Sequence, residues 1–138
     1  MKEIISFSRD EAERLGNDFI GAEHLLLGII RVGNNTAVRI LQSFKVDIKE
    51  MQTELEVSVK SNKGFQTAMP LNQSAEQAIY GAVTEAKTLN SKKVEPEHLI
   101  LSLLNNTNTA PAILSHIRLN WWAIAISVKP AFLISQYF

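Results

Sequence analysis

The stretch "GAEHLLLGII" (Gly21–Ile30) is repeated almost unchanged as "EPEHLILSLL" (Glu95–Leu104), 74 residues further along the chain. The same shift also superposes the residues before each stretch: Glu11 on Glu85, Ala12 on Ala86, and Leu15 on Leu89. After one deletion the shift becomes 73, and it then superposes Thr36 on Thr109, Ala37 on Ala110, and Leu41 on Leu114. A register that lasts about thirty residues indicates that one structural unit is encoded twice.

Each copy has the hydrophobic period of helices joined by short loops. From Lys2 to Leu15 apolar residues form one stripe opposite charged residues, which predicts an amphipathic helix. Gly16–Asn17 is expected to end that helix, and Gly21 to cap the next one. Asn35–Thr36 precedes a predicted third helix, and a fourth is predicted from Asp47 to about Lys60. No segment has the pattern of a β-meander, so the predicted fold class is all-α.

The duplication also predicts the domain organisation. Residues 1–120 are expected to form one domain, since a chain of 138 residues is most simply a single domain. Within it we assign repeat one to 1–61, a linker rich in turn residues to 62–71, and repeat two to 72–120. Each repeat is expected to hold four helices, with a pseudo-twofold axis relating the two.

The final segment, "WWAIAISVKPAFLISQYF" (121–138), departs from this symmetry. A charged amphipathic helix is expected here, but 13 of its 18 residues are apolar or aromatic and none is acidic. It is too short, and too interrupted by Lys129 and Pro130, to span a bilayer. Three interpretations stay open: a divergent element packed on the domain, an exposed segment for a partner, or a terminus altered by truncation or frameshift.

The composition is that of an ordinary globular protein, with 46% apolar and 20% charged residues. Fourteen basic residues balance fourteen acidic ones, so no net field favours nucleic acid or a membrane surface. The absence of cysteine excludes a disulfide framework and a thiolate nucleophile. The N-terminal residues lack the apolar core of a signal peptide. We therefore expect a cytoplasmic protein that binds neither nucleic acid nor membrane.

The two Glu-His pairs are the candidate functional residues. Adjacent helical residues point about 100° apart, so Glu23 and His24 are poorly placed to share a metal ion. A site of two Glu and two His across the copies is conceivable and would suit a metal-dependent hydrolase. The structural alternative places Glu23 and Glu97 at the positive ends of helix dipoles. His24 and His98 would then bond helix-end N–H groups or loop carbonyls.

Other sequence features favour a structural role for the residues at these helix starts, and none of them forms a recognisable set of catalytic residues. Pro96 suits the first position of a helix, where its missing N–H costs nothing, and Asn72 or Ser74 is expected to cap the preceding helix. The sequence contains no phosphate-binding loop, dinucleotide fingerprint or nucleophile elbow. We predict no catalytic residue, no cofactor and no bound metal.

Taken together, "EAERLGNDFIGAEHLLLGIIRVGNNTAVRIL" and "EAKTLNSKKVEPEHLILSLLNNTNTAPAIL" resemble the double Clp repeat, the N-terminal domain of ClpC- and ClpA-type AAA+ unfoldases. The resemblance implies two four-helix repeats that recognise substrates and dock adaptors for an ATP-driven ring feeding a protease. In ClpC-like members the acidic residue of each "EHL" motif contributes to a pocket for phosphorylated arginine, a role that maps onto Glu23 and Glu97. Asn72 stands where relatives carry a second helix-capping Thr.

The expected function is therefore a non-enzymatic protein-recognition module of a Clp-type unfoldase and protease system. Its expected partners are Clp ATPase and protease components, adaptor proteins and substrate polypeptides. The sequence contains no AAA+ module, so the chain by itself is not expected to hydrolyse ATP. One alternative is a freestanding regulator that competes for Clp adaptors, and another is the metal-dependent hydrolase using the paired Glu and His.

Overall fold

Six α-helices make up the part of the chain that the computed structural model describes, residues 2–33, 35–43, 47–60 and 69–105. In chain order they are α1 (Lys2–Arg14), α2 (Ala22–Val32), α3 (Thr36–Ser43), α4 (Ile48–Val59), α5 (Gln73–Thr88) and α6 (Pro96–Asn105). Across these ranges there is no β-strand, and the predicted all-α class is confirmed. The predicted later helices of repeat two, most of the linker, and the 121–138 segment lie outside the described residues.

Helix α2 lies at the centre of the fold. It packs most extensively along α1 and also contacts α3, α4, α5 and α6. Leu25, Leu26 and Leu27 are all at most 1% exposed, although they point in three different directions around the helix. A helix that is apolar all round must be buried on all sides. The repeated aliphatic stretch of the first copy therefore forms the buried centre of the described fold.

The first helix of each copy ends in the same way. Gly16 after α1 has φ +75° and Asn90 after α5 has φ +57°, the left-handed conformation that Gly and Asn tolerate best. The next residue then donates its N–H to the carbonyl five residues earlier, at 2.9 Å from Asn17 and 2.8 Å from Ser91. Each of these helix C-termini therefore has the hydrogen bond across five residues that is typical of a Schellman motif. The shift of 74 found in the sequence holds for individual backbone hydrogen bonds.

A buried serine lies between the two helices of each hairpin, but it belongs to the first helix in one copy and to the second helix in the other. In the first copy Ser8 on α1 donates to the carbonyl of Ile4 at 2.6 Å, and Gly28 on α2 faces it. In the second copy the residue equivalent to Gly28 is Ser102 on α6, which donates to the carbonyl of Ala78 on α5 at 2.7 Å. Ala78 is equivalent to Ile4. A hydroxyl therefore bonds the equivalent carbonyl in both hairpins, but a different helix supplies it.

A short parallel bridge joins the two copies. The N–H of Ile20 donates to the carbonyl of Pro70, and the N–H of Asn72 donates to the carbonyl of Ile20, both at 2.9 Å. Ile20 immediately precedes the N-cap of α2, and Asn72 immediately precedes α5. The bridge therefore places the start of α5, from the second copy, beside the start of α2, from the first.

One ion pair attaches α4 to the end of α1. Arg14 bonds Glu11 through Nε at 2.5 Å and Glu56 of α4 through Nη2 at 2.7 Å. The hydrogen bond to Glu11 is the largest influence on Arg14, and it raises the pKa of the guanidinium above its ordinary value. The side chain therefore stays charged and bridges the two helices. No helix within the described ranges is both long and apolar enough to cross a membrane.

Candidate functional site

Glu23 lies in the first turn of α2, where its carboxylate is partly exposed. It forms no salt bridge with any residue in the described part of the chain. A Cβ atom placed on Gly21 would lie 3.0 Å from Glu23 Oε2 and 3.1 Å from Asn72 Nδ2. The carboxylate of one copy and the amide of the other therefore border the same small space, which exists because Gly21 has no side chain.

The start of α5 completes this arrangement. Asn72 is the N-cap of α5, and its Oδ1 accepts hydrogen bonds from the Ala75 N–H at 2.9 Å and the Ser74 hydroxyl at 3.0 Å. Ser74 Oγ in turn accepts a long bond of 3.4 Å from the N–H of Ala22, the first residue of α2. Two helix N-termini, each carrying partial positive charge, therefore lie side by side. We name the group Gly21, Glu23, Asn72 and Ser74 the composite helix-start site.

His24 holds the backbone at the start of α2 from the buried side, through a hydrogen bond to its N-cap residue. The ring is fully buried, and its Nδ1 accepts a hydrogen bond from the Gly21 N–H at 2.8 Å. Because Nδ1 accepts, the ring hydrogen lies on Nε2, which donates to Asn17 Oδ1 at 2.8 Å. Asn17 then donates from Nδ2 to the carbonyl of Val59 at the end of α4, also at 2.8 Å. Both ring nitrogens are engaged by the protein, which leaves neither for a metal ion.

His98 occupies the corresponding place in the second copy. It is 4% exposed, and its Nδ1 accepts from the Glu95 N–H at 2.8 Å, one residue before α6 begins at Pro96. In a capping box, Glu or Gln at this position bonds back to the N-cap N–H, and here histidine does so in both copies. Among the residues described, no three or more His, Asp or Glu side chains cluster in a way that could hold a metal ion.

Glu97 lies in the first turn of α6 and is partly exposed, like Glu23 in α2. It has no salt bridge within the described ranges. Close to the start of α6 lies a cavity of about 350 Å³, whose lining is Glu3, Ile4, Val32, Asn35, Thr36, Glu95 and Pro96. Glu23 and Glu97 therefore occupy separate helix starts with different neighbours, and no described contact joins them into one site.

The buried ring of His24 makes a pH dependence of stability predictable. Burial lowers the pKa of His24 from its ordinary value of 6.5 to about 4. The unfolded chain therefore takes up a proton near pH 6.5 and the folded chain only near pH 4, so acidification through this interval favours unfolding. The stabilisation is fully present above pH 6.5 and falls by roughly 3 kcal/mol on reaching pH 4.

The matched variant for this prediction is His24→Gln, because glutamine can make the same bond to the Gly21 N–H without titrating. Urea unfolding at pH 7 and at pH 4 should show the unaltered protein losing roughly 3 kcal/mol more than the variant. Carboxylate protonation affects both proteins alike and cancels in this comparison. An equal loss in the two proteins would show that the ring does not titrate in this way.

Comparison with known proteins shows similarity to one family throughout. The family model described as the Clp repeat (R) N-terminal domain matches residues 1–117. The chain is 33% identical over 102 residues to the chloroplastic chaperone protein ClpC2 of Arabidopsis thaliana, covering 73% of this chain and 11% of that protein. It is 30% identical over 119 residues to the ATP-dependent Clp protease ATP-binding subunit ClpA homolog of Guillardia theta, covering 85% of this chain and 14% of that protein.

Solved structures show the same fold. The N-terminal domain of ClpD from Arabidopsis thaliana superposes with a TM-score of 0.70 at 21% identity, covering 94% of this chain and 90% of that one. The Hsp104 N-terminal domain from Candida albicans superposes with a TM-score of 0.73 at 13% identity, covering 93% and 87%. The chain thus spans almost the whole of these isolated domains, but only 11% and 14% of the full-length relatives above.

Proposed function

The chain belongs to the Clp repeat N-terminal domain family, and on that basis we propose that it is a non-catalytic protein-recognition module of a Clp-type ATP-dependent unfoldase system. It captures substrate polypeptides and docks adaptor proteins for an AAA+ ATPase partner. The observation that carries this proposal is the composite helix-start site, where polar groups from both copies lie beside the Glu23 carboxylate, which has no salt bridge within the described ranges. The domain limits at 1–120 and the cytoplasmic location stay predictions.

The ligand we propose for the composite site is arginine phosphorylated on its guanidinium group. The carboxylate of Glu23 can accept two parallel hydrogen bonds from a guanidinium, which is the strongest geometry for this pair. The phosphoryl oxygens would accept from the N–H groups at the starts of α2 and α5 and from Asn72 Nδ2, because helix N-termini favour anions. A zwitterionic ligand of this kind matches a site where one carboxylate lies beside two positive helix ends. Glu97 is proposed as the carboxylate of a second site.

An affinity capture experiment tests the proposed function. The immobilised full chain, incubated with native lysate from its own organism, should retain a Clp-type ATPase, an adaptor, or proteins undergoing degradation, as identified by mass spectrometry. A parallel column should carry the double variant Glu23→Ala with Glu97→Ala, which should retain adaptors but fewer phosphorylated substrates. If the unaltered chain captures none of these three classes, the proposed function is wrong.

Gly21→Ala should weaken phospho-arginine binding about tenfold with little loss of stability. The backbone at Gly21 has φ −105° and ψ −179°, an extended conformation that alanine adopts without strain. The added methyl group would lie 3.0 Å from Glu23 Oε2 and 3.1 Å from Asn72 Nδ2, so the two ligand-binding groups must move. Loss of the glycine cap should cost less than about 1 kcal/mol. Isothermal titration calorimetry measures the affinity, and an unchanged dissociation constant would contradict the assigned position of the ligand.

A further inference from the structure

A second candidate site lies between the exposed face of α1 and the segment leading into α5, next to the composite helix-start site. It is a groove of about 430 Å³, and the described residues that line it are Lys2, Ile5, Ser6, Arg9, Ile20, Met69 and Leu71. The four residues from α1 follow the spacing i, i+3, i+4 and i+7, so they form one continuous stripe along the helix. None of them belongs to the composite helix-start site.

The floor of this groove is apolar and held in place by the backbone. Ile20 is 3% exposed, while Ile5, Met69 and Leu71 are each partly exposed and leave apolar surface facing outward. The bridge between Ile20 and Leu71 fixes two of these residues relative to each other. An aliphatic side chain inserted here would lose water-exposed apolar area at a site that is already formed.

The charges at the groove have one sign. Of the described residues that line it, Lys2 and Arg9 are charged and both are cationic. They are seven residues apart on α1, about 10 Å along the helix axis. Arg9 Nε lies 3.5 Å from Glu13 Oε1, with half of the arginine side chain exposed. A surface ion pair of this kind contributes little to stability, and the half-exposed guanidinium places positive charge at the edge of the groove.

We propose that this groove binds an extended polypeptide segment in which an aliphatic side chain is flanked, on the same face, by two acidic side chains. An extended chain advances about 3.3 Å per residue and repeats its facing every second residue. Acidic residues at the first and fifth positions then lie about 13 Å apart, with the aliphatic residue midway. The long side chains of Lys2 and Arg9 can meet carboxylates at that separation, while the aliphatic group contacts the floor. This proposal rests on the proposed function, since it names one class of segment that the module recognises.

The test uses the full chain and a defined peptide. The probe is a capped five-residue peptide with aspartate at the first and fifth positions, leucine at the third and serine between them, labelled for fluorescence anisotropy. We expect saturable binding that weakens as salt concentration rises. Two matched peptides, one with lysine in place of aspartate and one with serine in place of leucine, should each bind at least about tenfold more weakly.

Charge reversal locates the binding surface. The double variant Lys2→Glu with Arg9→Glu should lower the affinity for the aspartate peptide about tenfold. The double variant Lys49→Glu with Lys87→Glu makes the same change in net charge elsewhere on the chain and should leave this affinity unaltered. Absence of saturable binding, equal binding of the lysine peptide, or an equal effect of both charge reversals would each overturn the proposal. Concentration-dependent self-association that blocks the peptide would assign the groove to a second copy instead. None of these results depends on phospho-arginine binding, whose own titration reports separately on the composite helix-start site.

Discussion

Gly28→Ala should lower the free energy of unfolding by about 2–3 kcal/mol, because the added methyl group has no room between α1 and α2. A Cβ atom on Gly28 would lie 2.6 Å from the backbone carbonyl oxygen of Ile4, as well as against the Ser8 hydroxyl. The Ser8 side chain can rotate away, but the Ile4 carbonyl is part of the α1 backbone, so α1 and α2 must move apart where they meet at Gly28. Chemical denaturation followed by circular dichroism measures the change.

Serine variants provide the control for this prediction. Ser8→Ala and Ser102→Ala each remove one hydroxyl from a helix hairpin without adding an atom, and each should cost about 1 kcal/mol. Combining Ser8→Ala with Gly28→Ala should recover little stability, because the clash with the Ile4 carbonyl remains. If Gly28→Ala alone cost less than either serine variant, the two helices would not be as close as the structure has them.

Replacing both Glu23 and Glu97 by alanine should weaken phospho-arginine binding at least about tenfold, because each hydrogen-bonded charge pair typically contributes about 1.5–3 kcal/mol. The fold should persist, since neither carboxylate makes a salt bridge within the described ranges. The expected loss of stability is about 0.6–2 kcal/mol, because each of the two lost interactions with a helix dipole contributes about 0.3–1 kcal/mol. Isothermal titration calorimetry and thermal unfolding, carried out on the same preparation, measure the two quantities.

The matched control replaces two other acidic residues that also lie in the first turns of helices. Glu3 is in the first turn of α1 and Glu50 in that of α4, and both are exposed. Replacing both by alanine removes the same charge and the same helix-dipole interactions, but it should leave phospho-arginine affinity unaltered. Equal affinity in the Glu23 and Glu97 double variant and in the unaltered protein would end the proposal that these carboxylates hold the ligand.

Local features of the fold could be predicted because each depends on a few neighbouring residues. The end of α1 could be predicted at Gly16, because glycine tolerates the left-handed backbone conformation that the structure has there. The aliphatic run in α2 requires burial whatever surrounds it. These signals, written twice at a constant shift, were sufficient to predict an all-α fold built by duplication.

Contacts between distant residues could not be predicted in the same way. The sequence gives no sign that Ile20 bonds to the backbone of Pro70 and Asn72, because backbone groups are the same in every residue. That bridge brings Glu23 and Asn72 beside Gly21. The composite site therefore could not be predicted from the sequence and was found only in the structure. The hydrogen bond between His24 and Asn17 could not be predicted either. The second copy has Ser91 where the first has Asn17, and this difference in sequence does not indicate which residue Asn17 binds.

The most direct measurement is a nuclear magnetic resonance titration of the ¹⁵N-labelled full chain with free phospho-arginine. We predict saturable shifts of the backbone amides from Gly21 to Glu23 and from Asn72 to Ser74, the two helix starts that the bridge brings together. Free arginine and inorganic phosphate, added separately, should give much weaker shifts at the same amides, because each carries only half of the ligand. Absence of saturable shifts at both helix starts, or shifts confined to other residues, would contradict recognition at this site.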